Sequence, residues 1–243
     1  MSFCSCRTAC RPYHDYHWRT SDDLPDLEVQ IVIKLADVGF RIGSNSILSC
    51  INLDLTEGKF ICLVGANGSG KSSLLKLIVQ SLKPDQGEII TPKPEDIAYL
   101  PQALTDPPYL TIKEVIEIAL KFTSKNKKNN DQKLTELSYE FKISHILDRQ
   151  FSEISAGEKQ RAWLAFCIAQ RKAVAVMDEP LSSVDQNSRE DYFKILKALP
   201  ESGHRLLLVT HDVELALAYA DRIITMENGK IIFDGKPNGF QGL

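Results

Sequence analysis

Polar and apolar residues alternate over 29–35 and again over 47–55, the two-residue period of strands with one buried face. Gly39-Phe40-Arg41 follows the first run, then a turn-rich patch, Gly43-Ser44-Asn45-Ser46, and Glu57-Gly58 turns the chain after the second, so the two runs predict an antiparallel pair. Residues 60–64 are continuously apolar, and 73–79 carry apolar residues at helical spacing. Short strands are predicted at 88–90 and 97–100. A helix is then predicted over 113–122, a polar, lysine- and asparagine-rich loop over 123–132, and helix again over 134–141 and 145–147. A helix over 158–170 leads into the apolar run 173–177, typical of a strand buried on both faces. After it come a helix over 188–199, a strand over 205–210, a helix over 212–219, and two strands, 222–226 and 231–233, about an Asn228-Gly229 turn. Alternating strands and helices around buried strands predict an α/β fold: a mostly parallel sheet flanked by helices on both faces, with the antiparallel pairs at its edge. The helices of 104–153 read as an inserted helical subdomain between core segments 29–103 and 154–243, and residues 1–28, polar and aperiodic, as a mobile tail.

The turn between 60–64 and 73–79 reads Gly65-Ala66-Asn67-Gly68-Ser69-Gly70-Lys71-Ser72. Strand, glycine loop and helix in that order are the context of a phosphate-binding loop. Glycines bring backbone N–H groups close to phosphate oxygens, and the helix N-terminus adds unpaired donors and a partial positive charge. Lys71 is placed to reach the β- and γ-phosphates of a nucleotide, and the Ser72 hydroxyl to ligate Mg²⁺. A plain glycine turn would look similar, but this spacing arises by chance in about one chain in a hundred. Asp178-Glu179 ends the buried run 173–177, and ligands of open α/β sheets sit at the carboxyl ends of strands. An acidic pair there also serves as a helix cap, but beside a phosphate loop Asp178 reads as the Mg²⁺ carboxylate and Glu179 as the one that polarises an attacking water.

Composition narrows the picture further. The 243 residues suit one α/β domain, or a core plus a small subdomain, and 43% apolar with 25% charged residues is ordinary for a globular chain. A net charge of −3 gives no electrostatic case for nucleic acid. No apolar run approaches the roughly 20 residues that span a bilayer, and the start of the sequence lacks the apolar middle of a secretory signal, so a soluble, cytoplasmic chain is expected. Cys50, Cys62 and Cys167 lie in apolar segments and read as small buried hydrophobes. Cys4, Cys6 and Cys10, with His14 and His17 behind them, do not match paired-cysteine zinc spacing and read as part of the tail, while Lys125, Lys127 and Lys128 read as solvated surface.

From about residue 29 onward the chain resembles the nucleotide-binding subunit of an ATP-binding-cassette transporter, with six motifs in family order. Residues 65–72, with Ser73 behind them, are similar to the Walker A loop, and 173–178 to Walker B, Glu179 standing where the family has its catalytic glutamate. Gln102 matches the Q-loop glutamine, which in the family contacts Mg²⁺ and the water and senses the membrane partner. Ile154-Ser155-Ala156-Gly157-Glu158 resembles the family signature, residues 182–185 with Asp185 the D-loop, and His211 the switch histidine. Phe40 stands where the family carries an aromatic that stacks on adenine. One departure is Ala156, in place of the first signature glycine, where a methyl group disfavours positive φ.

The resemblance implies that Gly65, Asn67, Gly68, Gly70, Lys71, Ser72 and Ser73 hold ATP, with Mg²⁺ on Ser72, Gln102 and Asp178. It implies that Ser155 and Gly157 of one copy close over the ATP of a second, in a homodimer, and that Lys71, Glu179, His211 and Gln102 carry hydrolysis. It further implies a membrane-spanning permease subunit docked on the helical insertion and the Gln102 loop at the cytoplasmic face of the inner membrane, and a substrate-binding protein for an importer. Residues 110–116, 147–149 and 158–165 are similar to segments of metal-ion, iron-chelate and vitamin B12 importer ATPases. An exporter or lipid-transport ATPase, a soluble non-transport ATPase of the family, and a regulatory module without turnover stay open at this point.

Overall fold

In chain order the strands are β1 (Lys34–Ile42), β2 (Asn45–Asp54), β3 (Phe60–Gly65), β4 (Gln86–Ile90), β5 (Ile97–Leu100), β6 (Val174–Asp178), β7 (Arg205–Val209), β8 (Arg222–Glu227) and β9 (Lys230–Gly235). The helices are α1 (Lys71–Ile78), α2 (Ile112–Thr123), α3 (Lys127–Glu140), α4 (Ala156–Ala169), α5 (Gln186–Glu201) and α6 (Val213–Tyr219). The computed structural model describes residues 31–123, 127–201, 204–240 and 242, so the expected tail, with its cysteines and histidines, lies outside the described residues.

The continuous apolar runs form the middle of a six-stranded sheet ordered β5-β6-β7-β3-β8-β9, parallel except where β9 closes the edge against β8. All six residues of β3 are buried, because both sheet faces are covered. Its side chains alternate between two cores. Phe60, Cys62 and Val64 join Ile116, Leu164, Phe193 and Ala216 of α2, α4, α5 and α6. Ile61 and Leu63 join Leu74, Leu75 and Ile78 of α1 and Val38, Leu48 and Ile51 of the first two strands.

That second face differs from the expectation. The β1–β2 pair is not an edge of the parallel sheet: with β4 it makes a separate three-stranded antiparallel sheet ordered β2-β1-β4. This sheet and α1 cover the face together, so helices flank the parallel sheet fully on one side only. α1 has apolar residues on opposite sides, which suits a helix held between two sheets. Ser49 of β2 donates its N–H to the Gly229 carbonyl at 3.0 Å, tying the small sheet to the β8–β9 turn.

Three local readings also change. The first strand starts at Lys34 and includes Gly39-Phe40-Arg41; Ile31 and Ile33 precede it, buried, and the Ile33 carbonyl accepts the Leu55 N–H at 2.8 Å. Most of the expected loop at 123–132 is helix, since α3 begins at Lys127; Leu134 and Leu137 anchor it, and Gln132 donates to Glu136 one turn on at 2.8 Å. Cys50 is exposed, with φ 52, because a register irregularity in the β1–β2 pair turns it outward. Cys62 and Cys167 are buried as expected; burial pushes the Cys167 thiol up to about 12.

The segment between β5 and α4 packs its helices onto α4, with Ile116, Leu137, Phe141 and Phe151 in the same core as Leu164. Its two ends meet where the Ile112 and Lys113 N–H groups donate to the Arg149 and Leu147 carbonyls at 3.0 and 2.8 Å. Among the described residues, no helix is long and apolar enough to cross a membrane.

Candidate functional site

β3 delivers the chain to the glycine loop and α1 receives it. A side chain at Gly65 would place its Cβ 2.2 Å from the Met226 carbonyl oxygen, so the loop starts where only glycine fits against β8. Gly70 is the N-cap of α1 at φ 101, a left-handed conformation that turns the loop into the helix. Among the described residues no side chain caps α1, which leaves its first N–H groups facing the concavity of the loop, a ready anion site. Asn67 and Gly68 are exposed on the loop, while Ser72 and Ser73 are half-buried in the first turn of α1.

Lys71 is buried and lies inside the loop, donating from Nζ to the Gly65 and Ala66 carbonyls at 2.9 and 2.8 Å. Burial lowers its ammonium pKa, opposed by the nearby carboxylates of Glu179 and Asp178. Asp178 ends β6 only 2% exposed. Burial raises its pKa, and a hydrogen bond from the Ser72 side chain pulls it back. Among the described residues, the Asp178 Oδ1 has no hydrogen-bond partner. A buried carboxylate oxygen without a donor, beside a serine hydroxyl and a lysine, is chemistry that suits a divalent cation.

Glu179 takes the next position, at φ 52, its N–H donating to the Val209 carbonyl at 3.1 Å. Its carboxylate accepts from Gln102 Nε2 at 2.9 Å on one oxygen and from His211 Nε2 at 2.6 Å on the other. Gln102, Glu179 and His211 follow the carboxyl ends of β5, β6 and β7, neighbouring parallel strands beside β3 and its loop. Six expected residues therefore form one linked group: Lys71, Ser72, Gln102, Asp178, Glu179 and His211.

Other expected residues stand apart from that group. Ser155 caps α4 in a reciprocal box: its hydroxyl donates to Glu158 Oε2 at 2.7 Å, and the Glu158 N–H donates to Ser155 Oγ at 3.3 Å. These bonds from the Ser155 backbone and hydroxyl hold the Glu158 carboxyl down at about 2. Ala156 is the first residue of α4, and its φ is not positive, so the methyl group meets no left-handed requirement. A side chain at Gly157 would place Cβ 3.1 Å from the Ser183 carbonyl oxygen, so α4 rests directly on the 182–185 turn. Asp185 accepts the Ser188 N–H at 3.0 Å at the start of α5. A cleft of about 250 Å³ runs between α4 and the group above, lined by Gln102, Leu104, Ala156, Lys159, Gln160 and Glu179 among others.

Phe40 does not serve as a stacking surface. It is 8% exposed and packs in the core between the two sheets, because its side chain falls on the inner face of β1. The exposed large apolar residue of that strand is Ile42, 59% exposed, at the hairpin end paired with Asn45. The adjoining residues Ile47 and Leu48 press on Gly70. Gln160, which binds the turn after Glu179, is not among the expected site residues; the sequence marks it only by its place one turn into α4 and within the segment 158–165.

A family model described as "ABC transporter" matches residues 48–182. The hemin import ATP-binding protein HmuV of Photobacterium damselae subsp. damselae is 30% identical, over 85% of this chain and 84% of its own. The zinc import ATP-binding protein ZnuC of Psychrobacter cryohalolentis is 29% identical, over 85% and 84% of the two chains. Among solved structures, the dimeric ATP-binding cassette MJ0796, in a post-hydrolysis state bound to ADP and Pi, superposes with a TM-score of 0.76 at 26% identity, over 86% of this chain and all of that one.

Proposed function

The chain belongs to the ABC transporter family, as an ATP-hydrolysing cassette, and from that premise we propose that it powers an importer of a metal ion or metal chelate. The cargo class rests on the relatives, which are named for hemin and zinc import. The catalytic assignment rests above all on Glu179 held between Gln102 and His211 beside the glycine loop.

ATP enters with its phosphates against the loop of residues 65–72 and the N-terminus of α1. The base rests on the exposed side chain of Ile42, an aliphatic surface in place of an aromatic one. Lys71 leaves the loop carbonyls for the β- and γ-phosphate oxygens, whose negative charge compensates its desolvation. Ser72, Asp178 and Gln102 would hold Mg²⁺, a reading that the unpartnered Asp178 oxygen supports. Mg²⁺, when bound, neutralises charge on the phosphate oxygens. Glu179 orients the attacking water and takes its proton, His211 and Gln102 fix the two oxygens of that carboxylate, and Lys71 stabilises the charge that develops on the γ-phosphate.

Ser155 and Gly157 serve the ATP of a second copy. This is supported by the exposed Ser155 and half-buried Gly157 at the start of α4, with Ser155 bonded locally to Glu158 and, among the described residues, not to its own phosphate loop. The segment 104–153 forms a helical subdomain that docks the permease at the cytoplasmic face of the membrane. Its exposed Tyr109, Phe122 and Tyr139 are apolar surface suited to that contact.

The deciding experiment is ATP hydrolysis by the purified chain with Mg²⁺, beside Glu179→Gln. Turnover should fall by about 10²- to 10⁴-fold in the variant, and the variant should accumulate as an ATP-dependent dimer. A Glu179→Gln protein that hydrolyses ATP at the wild-type rate sinks the catalytic assignment. Co-purification with a membrane-spanning subunit, whose loss leaves metal uptake unchanged, would sink the importer assignment.

A further inference from the structure

Glu179 is the residue whose aim matters most, yet its backbone lies in the left-handed region at φ 52. A non-glycine residue there is strained and persists only where its surroundings over-determine it. The surroundings do so on both sides. Ahead of Glu179, its N–H is fixed by the Val209 carbonyl. Behind it, its carbonyl accepts two bonds, from the Ser182 N–H at 3.2 Å and from the Gln160 side-chain amide at 3.2 Å. Gln160 does more with the same group. Its Nε2 also lies 3.0 Å from Ser182 Oγ, and its Oε1 accepts the Ser183 N–H at 2.6 Å. One half-buried amide therefore uses its donor and acceptor ends to close the turn of residues 179–183 against α4. Gly157, one turn away on the same helix, makes the close contact with the Ser183 carbonyl.

We propose that Gln160 is a positioning residue for ATP hydrolysis: it holds Glu179 in the backbone conformation that aims its carboxylate between Gln102 and His211. The proposal rests on Glu179 being the catalytic carboxylate. It adds a side-chain link from Glu179 to α4, the helix whose capped end carries Ser155. The aim of Glu179 at its own nucleotide thereby depends on the seating of α4, the helix that faces the nucleotide of the second copy. Glutamine is the residue type the geometry requires. Glutamate would keep the acceptor for the Ser183 N–H and lose the donor to the Glu179 carbonyl, and asparagine would fall short by one methylene.

The test compares Gln160→Ala, Gln160→Glu and Glu179→Gln with the wild-type full chain, measuring kcat and KM for ATP-Mg²⁺ and amide exchange over 179–184. A displaced catalytic group can lose about 10²-fold in rate, so kcat should fall by about that factor in Gln160→Ala and Gln160→Glu, with KM for ATP within about twofold of wild type. The Ser183 amide should lose protection in Gln160→Ala and keep it in Gln160→Glu. A kcat within about threefold of wild type in either variant overturns the proposal, as does a KM that rises in step with the loss of kcat. The exchange measurement needs no turnover, and unchanged Ser183 protection in Gln160→Ala overturns it as well. Should Gln160→Ala not fold, Gln160→Glu decides alone. Wild-type hydrolysis by Glu179→Gln would instead remove the catalytic assignment beneath the proposal, a different failure and separately visible.

Discussion

Phe40 and Ile42 lie two positions apart on one strand and share a face by simple alternation, yet one is core and the other exposed. Register irregularities between Leu35 and Arg41 break the alternation, and a sequence read locally cannot place them. The two substitutions should separate cleanly. Phe40→Ala should lower unfolding free energy by about 3–5 kcal/mol in chemical denaturation, as removal of a core ring does, and leave ATP affinity of the folded protein unchanged. Ile42→Tyr should tighten ATP binding by up to about tenfold, read by titration calorimetry, since a stacked aromatic adds roughly 1 kcal/mol over an aliphatic contact. The glycine loop and Asp178-Glu179 were legible because their chemistry is carried by adjacent residues in fixed spacing. Gln160 was not, because its partners stand 19 to 23 residues away in sequence.

At the scale of the element, α3 shows how a polar segment hides a helix. Its first turns carry lysine and asparagine, and what fixes them is packing of Leu134 and Leu137 further along. The same helix carries a pH-sensitive group. Burial, with Glu136 nearby, raises the Glu140 carboxyl to about 7. Between its ordinary value and 7 the folded state binds more protons than the unfolded state, so stability falls as pH rises through that window. Urea midpoints measured from pH 5 to 8 should decline by the equivalent of about 2 kcal/mol from this group, and Glu140→Gln should flatten the decline. In α4, Ala156 occupies a helical position, so Ala156→Gly should change turnover by less than about twofold while destabilising the helix by about 0.5–1 kcal/mol. Thermal midpoint and ATPase rate, taken together, check both halves of that expectation.

At the scale of the molecule, the sequence pattern conveyed strands and helices but not their division into two sheets, which is decided by pairing between distant segments. Arg222 is one joint between the parts. Its guanidinium grips Asp234 of β9 through Nε and a terminal nitrogen, both at 2.6 Å, and donates to the Asp54 and Glu57 carbonyls at 2.8 and 3.2 Å. Lysine cannot reproduce that fork. Arg222→Lys should therefore lower unfolding free energy by about 0.5–1.5 kcal/mol through the hydrogen bonds lost, measured by denaturant titration, with ATPase rate retained in the folded protein.

The strand order also governs when the phosphate loop comes into being on the ribosome. The small antiparallel sheet closes within residues 34–90, but β3, the strand that carries the loop, pairs only with β7 and β8, which are made more than a hundred residues later. Until those strands emerge, β3 has no hydrogen-bond partner and Gly65 has no Met226 carbonyl to rest against. A nascent or prematurely terminated chain ending before β7 thus carries every residue of the loop without the scaffold that shapes it.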